Sequence, residues 1–453
     1  MAQVLSFETR DLDQKRSQQI LNQLFPPPRT FGVRLWDGSE LAAAEKPAFK
    51  LVFNHPGAIR LMLTPPIELS LGEAFIHGDF DIEGDIFSAI SIIDDISNRT
   101  FKPGEVARLA REMFSLPRLP HRQPVGRSPA QLSGVKHSRE RDRLAIQYHY
   151  DVGNDFYALW LDQRMQYSCA YFATGTEDLD TAQEHKLEHI CRKLRLNPNE
   201  RLLDIGCGWG GLAMLAAEKY QAQVTGVTLS KNQAAYANER IANDRLGERV
   251  SIGLQDYRDL GSETFDKIVS VGMFEHVGRD HLEEYFTQAY RLLKPGGLFL
   301  NHGISQRGSA RPHGKAAHEE PQESIWQRFV ERRLVGNGSF MQRYVFPDGE
   351  LVPVSFAAEV AEAAGFEVRD VENLREHYAL TLRHWVNRLE KRRDEVIATA
   401  GEMAYRIWRL YMSACAHGFE SGMLNVNQIL LLKPDGGKSN LPLTRADLYI
   451  RNK

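Results

Sequence analysis

Apolar residues change their period several times along the chain. Residues 11–25, DLDQKRSQQILNQLF, carry them at helical spacing, and Pro26, Pro27 and Pro28 close the segment. Alternation at period two follows: Val33 and Leu35 before an Asp37-Gly38 turn, then Phe49, Leu51 and Phe53, then, beyond NHPG, Ile59, Leu61 and Leu63. AFIHGDFDIEGDIFSAISII adds a further strand and a helix. This stretch predicts a small α+β unit on an antiparallel sheet. The pattern then lapses. LPRLPHRQPVGRSPAQLSGVKH is rich in Pro, Ser and Arg, lacks an apolar period, and reads as a linker.

From residue 201 onward short apolar runs alternate with helical patterns. RLLDIG, AQVTGVTLS, KIVSVG and GLFLNHGI read as strands, and GLAMLAAEKY, KNQAAYANERIAND and HLEEYFTQAYRLL as the helices between them. Such βα repetition predicts a parallel sheet covered on both faces. GFEVRDVENL and VNQILLLKP are two later strand candidates, separated by long helical stretches holding Trp385 and Trp408. No internal repeat is visible. The boundaries expected are 1–114 for the small unit, 115–138 for the linker and 139–453 for the α/β domain.

Composition narrows the picture modestly. With 453 residues, 42% of them hydrophobic, the chain can bury a large core. A net charge of −3 does not suggest nucleic acid, although 102–143 holds ten Lys/Arg against four Asp/Glu. Cys169, Cys191, Cys207 and Cys415 are widely spaced without a CxxC pair, so neither a disulfide framework nor a zinc site is expected, and no metal. The N-terminus has no basic segment leading into an apolar one, and no run of apolar residues is long enough to span a bilayer. A cytoplasmic location is the expectation.

Two stretches carry chemistry. LLDIGCGWGG follows a strand and opens a helix, with Gly206, Gly208 and Gly211 in GxGxxG register. A dinucleotide enzyme would want an acid about 20 residues on, for the ribose. Thr228 stands there instead. The acid lies before the glycines, at Asp204, and LLKPGG precedes a later strand; both favour S-adenosylmethionine. The second stretch, VSVGMFEHVG, leaves a buried strand and delivers Glu275 and His276. Glu275 reads either as a carboxylate at a helix start or as a group of the site. His302 reads either as a hydrogen-bonded core residue or as a partner of Glu275.

The chain resembles the cyclopropane-fatty-acyl-phospholipid synthases, relatives of the mycolic acid cyclopropane synthases. The matching pieces are HYDVGNDFYALWLD, YSCAYF, LLDIGCGWGG, TLSKNQ, FEHVG, NHGI, HYALTLRHW and YMSACAHGF, in family order over 140–435. The resemblance implies a Rossmann-like class I methyltransferase sheet with a helical insertion, preceded by a small α+β lipid-handling domain. It implies that S-adenosylmethionine is held by Tyr167, Ser168, the glycine loop with Asp204, Gly206, Gly208 and Gly210, and the segment bearing Thr228, Leu229 and Gln233, with Gln255 and Asp256 beside the adenine. It also implies a bicarbonate ion held by Glu275, His302 and Tyr378, with backbone groups of Cys169 and Ile304. Cys415 matches a cysteine carried in the family as an active-site residue; its surroundings here favour a buried tunnel-lining role. Many relatives read His-Thr where this chain has His302-Gly303, a change expected to reshape the acyl tunnel.

The implied activity is methylene transfer to the cis double bond of unsaturated phospholipid acyl chains, at the inner face of the membrane, by a homodimer. Alternatives are C-methylation of the same alkene without ring closure, a lipid carrier that keeps only its cofactor site, and a nicotinamide enzyme, which Thr228 disfavours. Phe172 and Phe274 are candidates to face a carbocation. Tyr150 and Tyr157 are lid contacts or plain packing. Arg328, Arg332 and Arg333 fall at helical spacing and suggest a helix on anionic headgroups.

Overall fold

A computed structural model describes residues 2–97, 99, 101–122, 127–308 and 339–449. The chain divides into two compact units: residues 1–129, 311–345 and 400–417 form the first, and 130–310, 346–399 and 418–453 the second. Arg328, Arg332 and Arg333, and with them most of the expected insertion, lie outside the described residues.

In the first unit, β1 (Gly32–Arg34), β2 (Glu40–Leu41), β3 (Phe49–Phe53) and β4 (Phe80–Gly84) form one sheet in the order β2-β1-β3-β4. It is mixed rather than antiparallel, because β1 runs parallel to β3. The expected strand at 59–63 is instead a short helix, Ala58–Met62. Burial there falls on the consecutive residues 57–59 and does not alternate, so the segment has no pleated face to offer a sheet. Helix Glu402–Glu420 joins this unit through two buried arginines. Arg406 donates to the Phe75 carbonyl at 3.1 Å and pairs with Asp81 at 2.7 Å, while Arg409 donates to the Ile82 carbonyl at 3.3 Å.

The second unit is built on seven strands: β5 (Arg201–Ile205), β6 (Gln223–Thr228), β7 (Val250–Leu254), β8 (Phe265–Val271), β9 (Leu293–Gln306), β10 (Glu367–Asn373) and β11 (Leu424–Leu432). Their order is β10-β11-β9-β8-β5-β6-β7. Neighbours from β7 through β9 pair in parallel, and β11 runs antiparallel to both β9 and β10. The edge strand β7 escapes a reading by pattern: it is five residues long, contains Gly253, and buries fully only Val250 and Ile252. Apolar clusters cover both faces, one around Leu202, Leu215 and Ile190, the other around Ile268, Phe286 and Phe299. This explains the near-continuous apolar runs, since alternation is lost when both faces are buried. After β7 the chain returns to the other side of β5. The carboxyl ends of β5 and β8 therefore diverge at a topological switch point, where open parallel sheets bind ligands.

Candidate active site

The glycine loop fills that switch point. Gly206, Gly208 and Gly210 have φ of +78°, +55° and +80°, a region that L side chains rarely adopt. The Gly206 and Cys207 amides both donate to the Val227 carbonyl, at 2.9 and 3.0 Å, which turns the chain sharply out of β5. A Cβ at Gly211 would stand 2.2 Å from Gln166 Nε2, so the segment around residue 166 packs directly on the start of helix Gly211–Tyr220.

A cleft opens over the loop. Tyr167, Ser168, Asp204, Gly206 and Gly208 line it, as do Thr228, Leu229, Gln233 and Gln255. Gly210 lies behind the lining and caps the helix, close against Ala237. Asp256 follows Gln255 at the end of β7, between cleft-lining residues. Its carboxylate binds Arg258, at 2.7 Å to Nη2, and Arg258 also reaches Asp142 at 3.0 Å. Asp142, Ile146 and Tyr150, four residues apart on helix Arg139–Tyr150, add one further wall. Tyr150 is thus a cleft residue, whereas Tyr157 is packing, fully buried with its hydroxyl donating to the His149 carbonyl at 2.8 Å.

Asp204 is 2% exposed, and among the described residues its carboxylate has no ion-pair partner within reach. Burial pushes its pKa up to about 7, with Lys186 pulling in the opposite direction. A buried carboxyl in that state is ionised by an approaching cation, which suits the positively charged end of S-adenosylmethionine.

Beside the cleft lies a second polar group of residues. Glu275 follows β8 in a turn of 3-10 helix, and its Oε1 accepts from the Ile304 amide of β9 at 2.6 Å. Its Oε2 is buried without a partner among the described residues. Burial raises its pKa to about 7. On β9, His302 is 2% exposed, and its Nδ1 meets Gln428 Nε2 of β11 at 3.2 Å, while its Nε2 has no partner among the described residues. Burial, then the charges of Lys186 and Lys193, push its pKa down to about 3. The ring is therefore neutral. If the Gln428 amide donates to Nδ1, the proton sits on the buried Nε2, which then serves as a donor. Cys169 is fully buried, and its amide finds no acceptor among the described residues. Its thiol donates to the Leu374 carbonyl at 3.6 Å, and the Tyr378 amide donates to the same carbonyl at 3.0 Å, which ties Cys169 to Tyr378. Burial raises the Cys169 thiol pKa, so its sulfur is inert.

The remaining candidate residues take the following places. The Ile304 amide is occupied by Glu275, so Ile304 orients the carboxylate and is not a free donor. Phe274 packs in the apolar core against Tyr285 and Phe286. A Cβ at Gly303 would come 2.9 Å from its ring, so the missing side chain makes room for Phe274. Phe172 stacks on His384 with ring centroids 5.5 Å apart. Cys415 lies on helix Glu402–Glu420, and desolvation pushes its thiol up to about 12, far from a nucleophilic thiolate. His276 lines the cofactor cleft, held neutral by burial at about 4. Gln428, Lys186 and Gln183 escaped the motifs. The available signal was polar residues on the buried face of an amphipathic segment, as in helix Leu179–Lys193, where Gln183 and Lys186 fall among Leu179, Ala182 and Ile190.

The sheet order, the glycine loop and the cleft together define an S-adenosylmethionine-dependent methyltransferase. Residues 137–429 match the model of the mycolic acid cyclopropane synthetase family, and 17–102 match a domain of unknown function. The chain belongs to the mycolic acid cyclopropane synthetase family. It is 41% identical over 420 residues to a "Probable fatty acid methyltransferase" of Pseudomonas putida, covering 92% of this chain and 95% of that protein. It is 38% identical over 293 residues to the cyclopropane-fatty-acyl-phospholipid synthase of Escherichia coli K12, covering 65% of this chain and 69% of the other. The solved mycolic acid cyclopropane synthase CmaA1 in complex with SAH and CTAB superposes with a TM-score of 0.56 at 36% identity, covering 64% of this chain and 97% of that one.

Proposed function

We propose that the protein transfers a methylene group from S-adenosylmethionine to the cis double bond of an unsaturated phospholipid acyl chain, closing a cyclopropane ring. The observation that carries this reading is a set of buried polar groups without a partner among the described residues: Glu275 Oε2 after β8, His302 Nε2 on β9 and the Cys169 amide. Two donors and one carboxyl that is half protonated near neutral pH suit a small oxyanion with a proton of its own, and bicarbonate has that chemistry. Glu275, His302 and the Cys169 amide would hold it, with Tyr378 alongside.

Bound S-adenosylmethionine supplies an electrophilic methyl group, and bound bicarbonate supplies a base. The chain supplies position and dryness. An alkene is a weak nucleophile, so rate depends on holding it in line. Tyr167, Ser168 and the glycine loop would fix one reactant. An electron-deficient carbon next to the new methyl group would be quenched by water, which burial of Cys169, His302 and Glu275 excludes. Glu275, anchored by Ile304, presents one free oxygen in a set direction, so a proton is taken at a fixed place.

A second reading keeps the cofactor and the alkene but stops short of ring closure, giving a methyl-branched or methylene chain. The name of the P. putida relative favours it. The test is incubation of the protein with S-adenosylmethionine and vesicles of mono-unsaturated phospholipid, followed by mass spectrometry and proton NMR of the acyl chains. Addition of one carbon with upfield ring protons supports the synthase; the same addition with vinylic or branched-methyl signals selects the second reading. Unaltered chains would overturn both. The proposed anion site is common to the two readings. Location at the inner membrane face, as a homodimer with the small unit assisting lipid capture, completes the proposal. Among the described residues no helix is long and apolar enough to cross a membrane.

A further inference from the structure

Lys186 is fully buried and has no role in the scheme above. Its Nζ donates to Gln166 Oε1 at 2.6 Å and to Ser168 Oγ at 3.0 Å. One helical turn earlier, Gln183 is equally buried, and its Nε2 donates to the Ser168 carbonyl at 2.9 Å. Both side chains leave the same face of helix Leu179–Lys193 and grip one short strap, residues 166–168. That strap has two further duties. Gln166, Tyr167 and Ser168 line the cofactor cleft, and the Gln166 amide group lies against Gly211, where the helix after the glycine loop begins. The next residue is Cys169, whose amide has no acceptor among the described residues.

We infer that Lys186 is a positioning residue for the cofactor: with Gln183 it fixes the 166–168 strap as one wall of the cleft. Burying a lysine is costly unless its ammonium is well satisfied, and a methionine of similar volume would serve the core without that cost. A positive charge retained here has a use beyond packing. Burial lowers the Lys186 pKa to about 8, while Asp162 in the preceding loop, Cys169 just after the strap and Asp204 on β5 oppose that fall, and its charge is felt in turn by His302 on β9. Among the described residues it is the cation acting on Asp204, whose charge is also felt by the Cys191 and Cys207 thiols. Lys186 therefore keeps Asp204 more acidic than burial alone would leave it. The inference rests on the methyltransferase assignment and is independent of acyl substrate and bicarbonate.

The test uses the full chain and SAH binding by calorimetry across pH, with thermal melting of the unliganded protein. In the wild type, SAH affinity should weaken as pH falls through about 7, where Asp204 takes up its proton. Lys186→Met should melt no lower than wild type, bind SAH roughly ten-fold more weakly or worse at neutral pH, and show its acid limb displaced to higher pH. Gln183→Met should weaken SAH binding without moving that limb, since it removes the strap contact and no charge; if Lys186→Met does not fold, this variant decides. Folded variants with unchanged SAH affinity would overturn the inference. So would a Lys186→Met protein whose melting temperature and affinity fall together with its pH limb unmoved, which would make Lys186 a core residue only. Wild-type protein that binds no SAH would remove the cofactor assignment and this inference with it.

Discussion

The Ile304 amide donates to Glu275 Oε1 at 2.6 Å and leaves Oε2 of the same carboxyl buried without a partner among the described residues. One oxygen is an anchor and the other is available. Burial alone cannot explain that asymmetry, because a buried carboxyl with one empty oxygen is unfavourable unless something else fills it. Glu275→Gln keeps an oxygen for the Ile304 amide and loses the carboxylate. Turnover should fall by about two to four orders of magnitude, the range of a lost acid–base contribution, while SAH affinity stays at the wild-type level. Turnover and binding falling equally would place Glu275 in the cofactor site instead.

The raised pKa of Glu275 also has a stability signature. Between the unfolded value of 4.5 and the folded value of about 7, the native state holds the extra proton. Stability contributed by this group therefore falls as pH rises through that window. Relative to Glu275→Gln, the wild type should lose about 3 kcal/mol between pH 4.5 and 7. Taking the difference between the two proteins cancels the opposite trend from His276 and His302, whose depressed values make stability rise with pH. Urea denaturation at several pH values measures it; a constant difference would show that Glu275 titrates normally.

His302 owes its orientation to Gln428, its register partner on antiparallel β11. Gln428→Leu removes the donor at Nδ1 and frees the ring to place its proton there. Turnover should drop by roughly ten-fold or more, as for other lost orienting contacts, with SAH affinity unchanged. Steady-state kinetics with a parallel SAH titration checks it, and undiminished kcat would free His302 from that tautomer.

Gly303 and Phe274 occupy one volume. Gly303→Thr should destabilise the fold by about 1–3 kcal/mol through overpacking, and Phe274→Leu in the same chain should recover part of that loss. Denaturation of the two single variants and the double variant measures the coupling. Additive losses would mean that the Gly303 site opens elsewhere.

Much of this site is legible in the order of the amino acids, and for definite reasons. Gly206 and Gly208 stand out because the turn leaving β5 needs left-handed backbone, and Glu275 because a carboxyl ends an apolar run. What the pattern conceals depends on pairing across the sheet or on a face turned inward. Gln428 gains meaning only from its antiparallel register with His302. Lys186 and Gln183 look like the polar side of a surface helix until burial shows which face is inside. Residues 59–63 alternate for too few positions to separate a strand from a short helix, and β7 hides behind Gly253. The pairing of Asp256 with Arg258, two residues on, is likewise not signalled by the pattern.

The central claim is that Glu275 and His302 hold a bicarbonate ion that accepts a proton. The direct measurement is turnover with S-adenosylmethionine and mono-unsaturated phospholipid vesicles in buffer stripped of carbon dioxide, with bicarbonate added back. The wild type should be slow without it and recover saturably as it is added, while Glu275→Gln stays slow at every concentration. Full wild-type turnover in the stripped buffer, unresponsive to added bicarbonate, would contradict the claim.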